Sequence, residues 1–152
     1  MTDKYFWELI SMIDWDQEDD DDQLLPLVEE LSRNPESEIM EFDNILAEKL
    51  YELDGKEYAK NIDPEFAYGN PEGYFSMDLF LYTRCCVVAN GKGFYENVLQ
   101  NPTKMPKGYD YEPLLEVGFS SFHLKTKKSF DEYLDNRQMS VSWETYSNKS
   151  KW

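Results

Sequence analysis

The chain has 152 residues, 41% hydrophobic and 16% aromatic, which fits one packed domain, or one domain with a tail. Its formal net charge is −16, from 31 Asp and Glu against 15 Lys and Arg. A field of that sign repels nucleic acid and anionic membranes and leaves cations or basic proteins as natural partners.

The charge is lopsided. Residues 1–76 hold 22 acidic against 5 basic side chains, a net of −17, and residues 77–152 hold 9 against 10, a net of +1. The two cysteines, Cys85 and Cys86, are adjacent. Neighbouring cysteines rarely bridge each other, so a reducing compartment is expected. Asp3, Glu8 and Asp14 interrupt the N-terminus, so no signal peptide is read there, and no apolar run approaches the ~20 residues of a spanning helix. These features predict a cytoplasmic, soluble protein.

In chain order, "TDKYFWELISMI" opens with Thr2 as a helix cap and Asp3 in the first turn, and Phe6, Leu9, Ile10 and Ile13 recur at helical spacing. "DWDQEDDDD" at 14–22 follows, acidic at seven of nine positions. "QLLPLVEELSRN" places Leu24, Val28 and Leu31 on one face, with Pro26 in or near the first turn. "NPESEIMEFDNILAEKLYELDG" is the clearest helix. Asn34 is its expected cap, Pro35 its first residue, Gly55 its stop, and Ile39, Phe42, Leu46, Leu50 and Leu53 form its core stripe.

Residues 61–73 contain two prolines and two glycines, and so read as a loop with at most one helical turn around Phe66. "YFSMDLFLYTRCCVVANG" is apolar nearly all round and predicts the most buried helix, ended by Asn90 and Gly91. A short helix follows in "KGFYENVLQN" and a loop in "PTKMPKGYD". "YEPLLEVGFSSFHLKTKK" predicts a helix capped by Asp110, with Leu115, Phe119 and Phe122 inward and Lys125, Lys127 and Lys128 at its negative end. Beyond Ser129 the pattern weakens. "SVSWETY" alternates enough for an edge strand and polar enough for a loose tail. The fold class is therefore mainly α, a single-domain bundle of about six helices with room for one short C-terminal strand pair. Residues 1–130 form the helical domain, and 131–152 a polar extension packed on it or partly mobile.

Counting a calcium loop from Asp14, Asp16 and Glu18 fit, but the sixth position is Asp19 rather than Gly and the twelfth is Leu25 rather than Glu. The stretch is either a solvated loop or a partner-binding surface. His123 is the only histidine, which removes multi-imidazole metal centres and leaves a catalytic triad only if His123 is its base. Cys85 and Cys86 lie in the most apolar helix and read as core thiols, although Arg84 next door could lower a thiol pKa. "NGKG" at 90–93 matches no phosphate loop, and no carboxylate pair stands out by spacing. No catalytic residue, metal or cofactor is assigned.

Several segments, in order, resemble the bacterial domain-of-unknown-function family 4240. They are "YFWELI" at 5–10, "NPESEIMEFDNIL" at 34–46, "YFSMDLFLYTRCCVVANGKGFYENVLQNP" at 74–102 and "YEPLLEVGFSSFHLKT" at 111–126. Phe75, Asp78, Phe80, Gly91, Tyr95 and Glu96 follow the family's order of aromatic-Asp-x-Phe helix, glycine turn and aromatic-Glu. The resemblance spans roughly 4–128 and implies a largely helical fold, no assigned catalytic residues, and a likeness to proteins found near secreted bacterial toxins. The chain departs from it at 61–73 and in its tail.

The leading expectation is a non-enzymatic acidic binding protein, an immunity protein that neutralises a toxin such as a nuclease by covering a basic surface. Its site would be Trp15, Asp16, Glu18, Asp19, Asp20, Asp21 and Asp22, with Trp15 as the aromatic anchor. The partner would be a basic protein, with no nucleic acid and no membrane, and the chain a monomer or homodimer. The alternatives are a small enzyme or ligand-binding domain, with a pocket among Trp7, Tyr74, Tyr82 and His123, and a regulatory scaffold module.

Overall fold

A computed structural model describes all residues, 1–152. It is all-α: eight α-helices joined by turns and short 3-10 segments, with no strand. Helix α1 spans Asp3–Ile10, α2 Asp20–Ser32, α3 Glu36–Glu52, α4 Lys56–Ala59, α5 Met77–Ala89, α6 Lys92–Gln100, α7 Val117–Thr126 and α8 Phe130–Asn136. No helix is long and apolar enough to cross a membrane.

The expectation of about six helices is corrected by α4, a single turn, and by α8. The expected strand pair is corrected too. Around "SVSWETY" the backbone turns, Tyr146 takes a left-handed conformation (φ 74°), and its N–H goes to the Asp54 carboxylate instead of a neighbouring strand.

Local chemistry explains three of the helix starts and one of the turns between helices. Thr2 accepts from the Tyr5 N–H and starts α1, Ser76 accepts from the Leu79 N–H and starts α5, and Ser129 with Glu132 forms a reciprocal capping box at α8. Gly91 at φ 95° makes the turn from α5 to α6. Two expected caps fail. The Asn34 amide donates to the Tyr5 hydroxyl and to the Glu30 carbonyl, closing the end of α2, while the Pro35 carbonyl accepts the first bond of α3. Asp110 precedes a 3-10 segment, Glu112–Glu116, and α7 starts only after it. Gly55 is extended rather than left-handed. A Cβ there would come within 2.8 Å of the Lys151 side chain, so close approach of the tail sets the residue.

The chain divides into two compact units. The first comprises Met1–Leu46 and Pro113–Ser140, the second Ala47–Glu112 and Val141–Trp152. The first has a core of Phe6, Leu9, Ile10, Leu27, Leu31, Ile39, Phe42, Leu114, Val117 and Phe122, with α2 packed along α7. The second buries Leu50, Leu53, Ala59, Ile62, Phe80, Val87, Val88 and Val98, and packs α5 against α6. Cys85 and Cys86 are buried and unbridged, and burial pushes both thiols up in pKa, Cys85 far up.

At the centre of the second unit lies Arg84, fully buried. It donates from Nη1 to the Leu50 carbonyl (2.9 Å) and from Nη2 to the Thr145 hydroxyl (3.0 Å), and stacks on Phe80. Burial lowers its pKa to about 10 against the pull of Asp54. Asp54, also fully buried, accepts from the N–H groups of Tyr146 (3.2 Å) and Asn148 (2.8 Å) and from Trp152 Nε1 (3.1 Å). Trp152 then joins Tyr68, Phe75, Phe80 and Tyr146 in an aromatic cluster. The last twelve residues are thus held by the Asp54 carboxylate, the aromatic cluster, and bonds of Thr145 to Arg84 and the Met77 carbonyl and of the Asn148 amide to the Tyr51 carbonyl.

Candidate functional site: an acidic lip on an apolar groove

The acidic stretch is not one loop. Asp14 turns inward on the chain itself, accepting from the Asp16 N–H (3.1 Å) and the Gln17 amide (3.0 Å), while its own N–H reaches the Gln23 carbonyl (2.9 Å). The Gln23 amide returns to the Gln17 carbonyl (2.9 Å) and closes the turn. Asp19 is the cap residue of α2, and Asp20, Asp21 and Asp22 are its first helical turn. Three carboxylates thus sit where the helix dipole is positive, which helps α2 begin four residues before the first apolar one.

Pro26 is therefore inside α2 rather than in its first turn. It lacks the N–H that would reach the Asp22 carbonyl, which weakens the helix just behind the acidic turn. The buried face of α2 is Leu24, Leu27 and Leu31, with Val28 only partly covered.

Partial exposure of Val28 has a consequence. Leu24, Leu25 and Val28 on α2 face Pro113, Val117 and Ser120 across a groove of about 180 Å³, with Asp21 and Glu116 at its edge. A second depression of about 430 Å³ is lined by Asp19, Asp20, Asp21, Asp22, Pro113 and Glu116. Asp21, Pro113 and Glu116 belong to both, so the two are continuous. The surface is an apolar groove with a lip of five carboxylates. Leu25 is 47% exposed at its rim.

The other expected site residues lie just upstream. Trp15, also 47% exposed, and the exposed Asp16 and Glu18 occupy the turn between α1 and α2. Sequence reading missed Glu116, Pro113 and Leu25. Glu116 and Pro113 are far away in the chain, and nothing but the packing of α2 on α7 brings them to the acidic run.

The four residues considered for a small-molecule pocket are dispersed in character. Trp7 is buried edge-on against Phe6, and His123 is exposed with Nδ1 at 2.9 Å from the Lys128 carbonyl, both in the first unit. In the second unit Tyr74 is 78% exposed, and the Tyr82 hydroxyl bonds the Glu112 side chain. No group of three or more His, Cys, Asp or Glu is arranged to hold a metal ion.

A further buried carboxyl sits in the first unit. Asp43 of α3 is wholly buried. Its Oδ2 accepts from the Tyr133 hydroxyl and lies 3.8 Å from Arg137 Nη1, and its Oδ1 has no hydrogen-bond partner. Burial pushes its pKa up to about 7, and Arg137 offsets only part of that.

The family model of DUF4240, a protein of unknown function, matches residues 1–142. The chain belongs to that family. The match is wider than the 4–128 read from the motifs, and it takes in α8 and the turn after it. No curated protein and no solved structure shows significant similarity to this DUF4240 chain. The acidic lip and the apolar groove both lie within the DUF4240 match.

Proposed function

We propose that this DUF4240 protein is a non-enzymatic, cytoplasmic binding protein whose α2–α7 groove receives a basic, amphipathic segment of a partner protein. The observation that carries this reading is the continuity of the acidic lip with exposed apolar surface. Carboxylates alone would suit any cation. Carboxylates bordering Leu24, Leu25 and Val28 suit a segment that offers Lys or Arg beside apolar side chains. The charges set approach rate and orientation, and the apolar floor sets lifetime. Such a partner is characteristic of proteins that act on nucleic acid, whose working surfaces are basic. On this reading the chain is an immunity protein, blocking the basic cleft of a toxin such as a nuclease.

The binding claim is tested by titrating the labelled protein with an amphipathic leucine–arginine peptide and following backbone amide shifts. Shifts concentrated at 19–28 and 113–120 are expected. Shifts spread evenly over all acidic surface would count against the groove. The immunity claim is tested by co-expression with the product of each adjacent gene. Rescue of growth by the wild type, lost on Leu25→Asp, is expected, and absence of any toxic neighbour product would remove it.

A further inference from the structure

We propose that helix α8 is a releasable flap on the first unit, held by a latch of Asp43, Tyr133 and Arg137 that tightens when Asp43 takes up a proton.

Helix α8 has seven residues, too few to persist alone in water. Its capping box orders its start, but Tyr133 is its only buried residue. Phe130 and Leu134 are 51% and 38% exposed, so little apolar burial holds the helix down. The half-exposed Phe130 ring meets Phe119 of α7 edge-on (5.0 Å), and the buried hold on the helix is the Tyr133 side chain. Its ring packs on Phe119 (5.6 Å) and Phe122 (5.5 Å) of α7, and the hydroxyl donates to Asp43 of α3. Arg137, immediately after α8, adds its guanidinium to the same carboxylate oxygen and lies against the Tyr133 ring. The latch therefore ties α8 to α3 through one carboxyl group.

That carboxyl is poorly provided for as an anion. From α8 it is faced by Tyr133, which donates one hydrogen bond, and by Arg137, whose approach at 3.8 Å is loose. From α7 it is faced by Gly118, which carries no charge, and this is where the unpartnered Oδ1 points. A buried carboxylate with one oxygen unsatisfied is costly, and its protonated form is not. Release of α8 opens this site to water and restores the ordinary carboxyl value near 3.8. The docked state then binds the proton more tightly than the released one. Docking is strongest in acid, weakens about tenfold per pH unit as pH rises towards 7, and levels off above it. Release uncovers Asp43, Gly118 and the rings of Phe119 and Phe122. The latch makes that surface available at neutral pH and withdraws it in acid.

The test is hydrogen–deuterium exchange of the full chain at pH 5.5, 6.5, 7.5 and 8.5, with rates at 130–137 corrected for the intrinsic pH dependence. In the wild type, protection of α8 is expected to fall roughly 30-fold between pH 5.5 and 7.5 and stay level to 8.5. In Asp43→Asn, where Tyr133 keeps an acceptor and no charge forms, α8 is expected to hold one level of protection throughout. A flat wild-type profile overturns the proposal whether or not the variant folds. So does a fall that persists in Asp43→Asn, or one shared equally by α2 of the same unit, which would report opening of the whole unit.

Discussion

Two carboxylates are wholly buried, one in each compact unit, and they are treated very differently. Asp54 accepts three N–H groups, all from the chain's last seven residues, and acts electrostatically on Arg84. Asp43 accepts one hydroxyl, stands 3.8 Å from a guanidinium and leaves one oxygen unsatisfied. Neither resembles the carboxylates of the acidic lip, which remain in water and cost the fold little. The contrast separates three uses of one functional group. A saturated buried carboxylate organises chain, a half-satisfied one is responsive, and a solvated cluster is available to a partner.

The first of these should break most severely. Asp54→Ala leaves the N–H groups of Tyr146 and Asn148 unpaired and removes the counter-charge of buried Arg84. A loss of about 3–5 kcal/mol is expected in urea denaturation, with early exchange of residues 141–152. If the tail amides stay protected in this variant, the aromatic cluster rather than the carboxylate holds the tail.

The second should appear as pH dependence. Asp43 has a folded pKa raised from 3.8 to about 7, so the folded state holds a proton that the unfolded chain releases. Its contribution to stability is full below about pH 4 and is lost as pH rises to about 7. The ceiling on that loss is on the order of 4 kcal/mol. Relief of general repulsion at low pH acts in the same direction, so the diagnostic quantity is the difference between wild type and Asp43→Asn. The slope of stability against pH between 5 and 7 should be shallower in the variant. Equal slopes would assign the effect to net charge.

A geometric test of the same latch is smaller. An added Cβ at Gly118 would collide with Asp43 Oδ1 and the Tyr133 hydroxyl. Gly118→Ala is expected to cost about 1–3 kcal/mol through overpacking and to raise exchange in α8 more than in α1. Equal loosening of both helices would mean that Gly118 serves α7 packing alone.

These sites mark where sequence reading stopped. The core stripe of α3 was legible because Ile39, Phe42, Leu46, Leu50 and Leu53 repeat at helical spacing, and all five are buried. Thr2 and the breaking pair Asn90–Gly91 were legible from their chemistry. Helix α2 starts earlier than its apolar pattern predicts, because a positive helix terminus welcomes the aspartates that, with Pro26, suggest an end. Helix α4, at one turn, has no period to detect. Helix α8 has only one buried side chain and so no apolar period, and its one sequence signal is the Ser129-x-x-Glu132 capping box. Nothing in the chain distinguishes Asp43 and Asp54 from 29 other acidic residues, because their burial is made by partners 90 and more positions away. Glu116 enters the lip in the same way.

The solvated lip is the region where change should cost the fold least and matter most for binding. The most direct measurement compares two charge-matched variants in stopped-flow association with the leucine–arginine peptide across a salt series. One replaces Asp19–Asp22 with Asn and Ser, and the other replaces the exposed Glu57, Glu65, Glu72 and Glu96 with Gln. The predicted result is that the first lowers the association rate about tenfold or more and flattens its salt dependence, while the second changes it less than about threefold. Equal effects of the two sets, or no effect of the first, would contradict the claim that the lip of the α2–α7 groove is where this protein meets its partner.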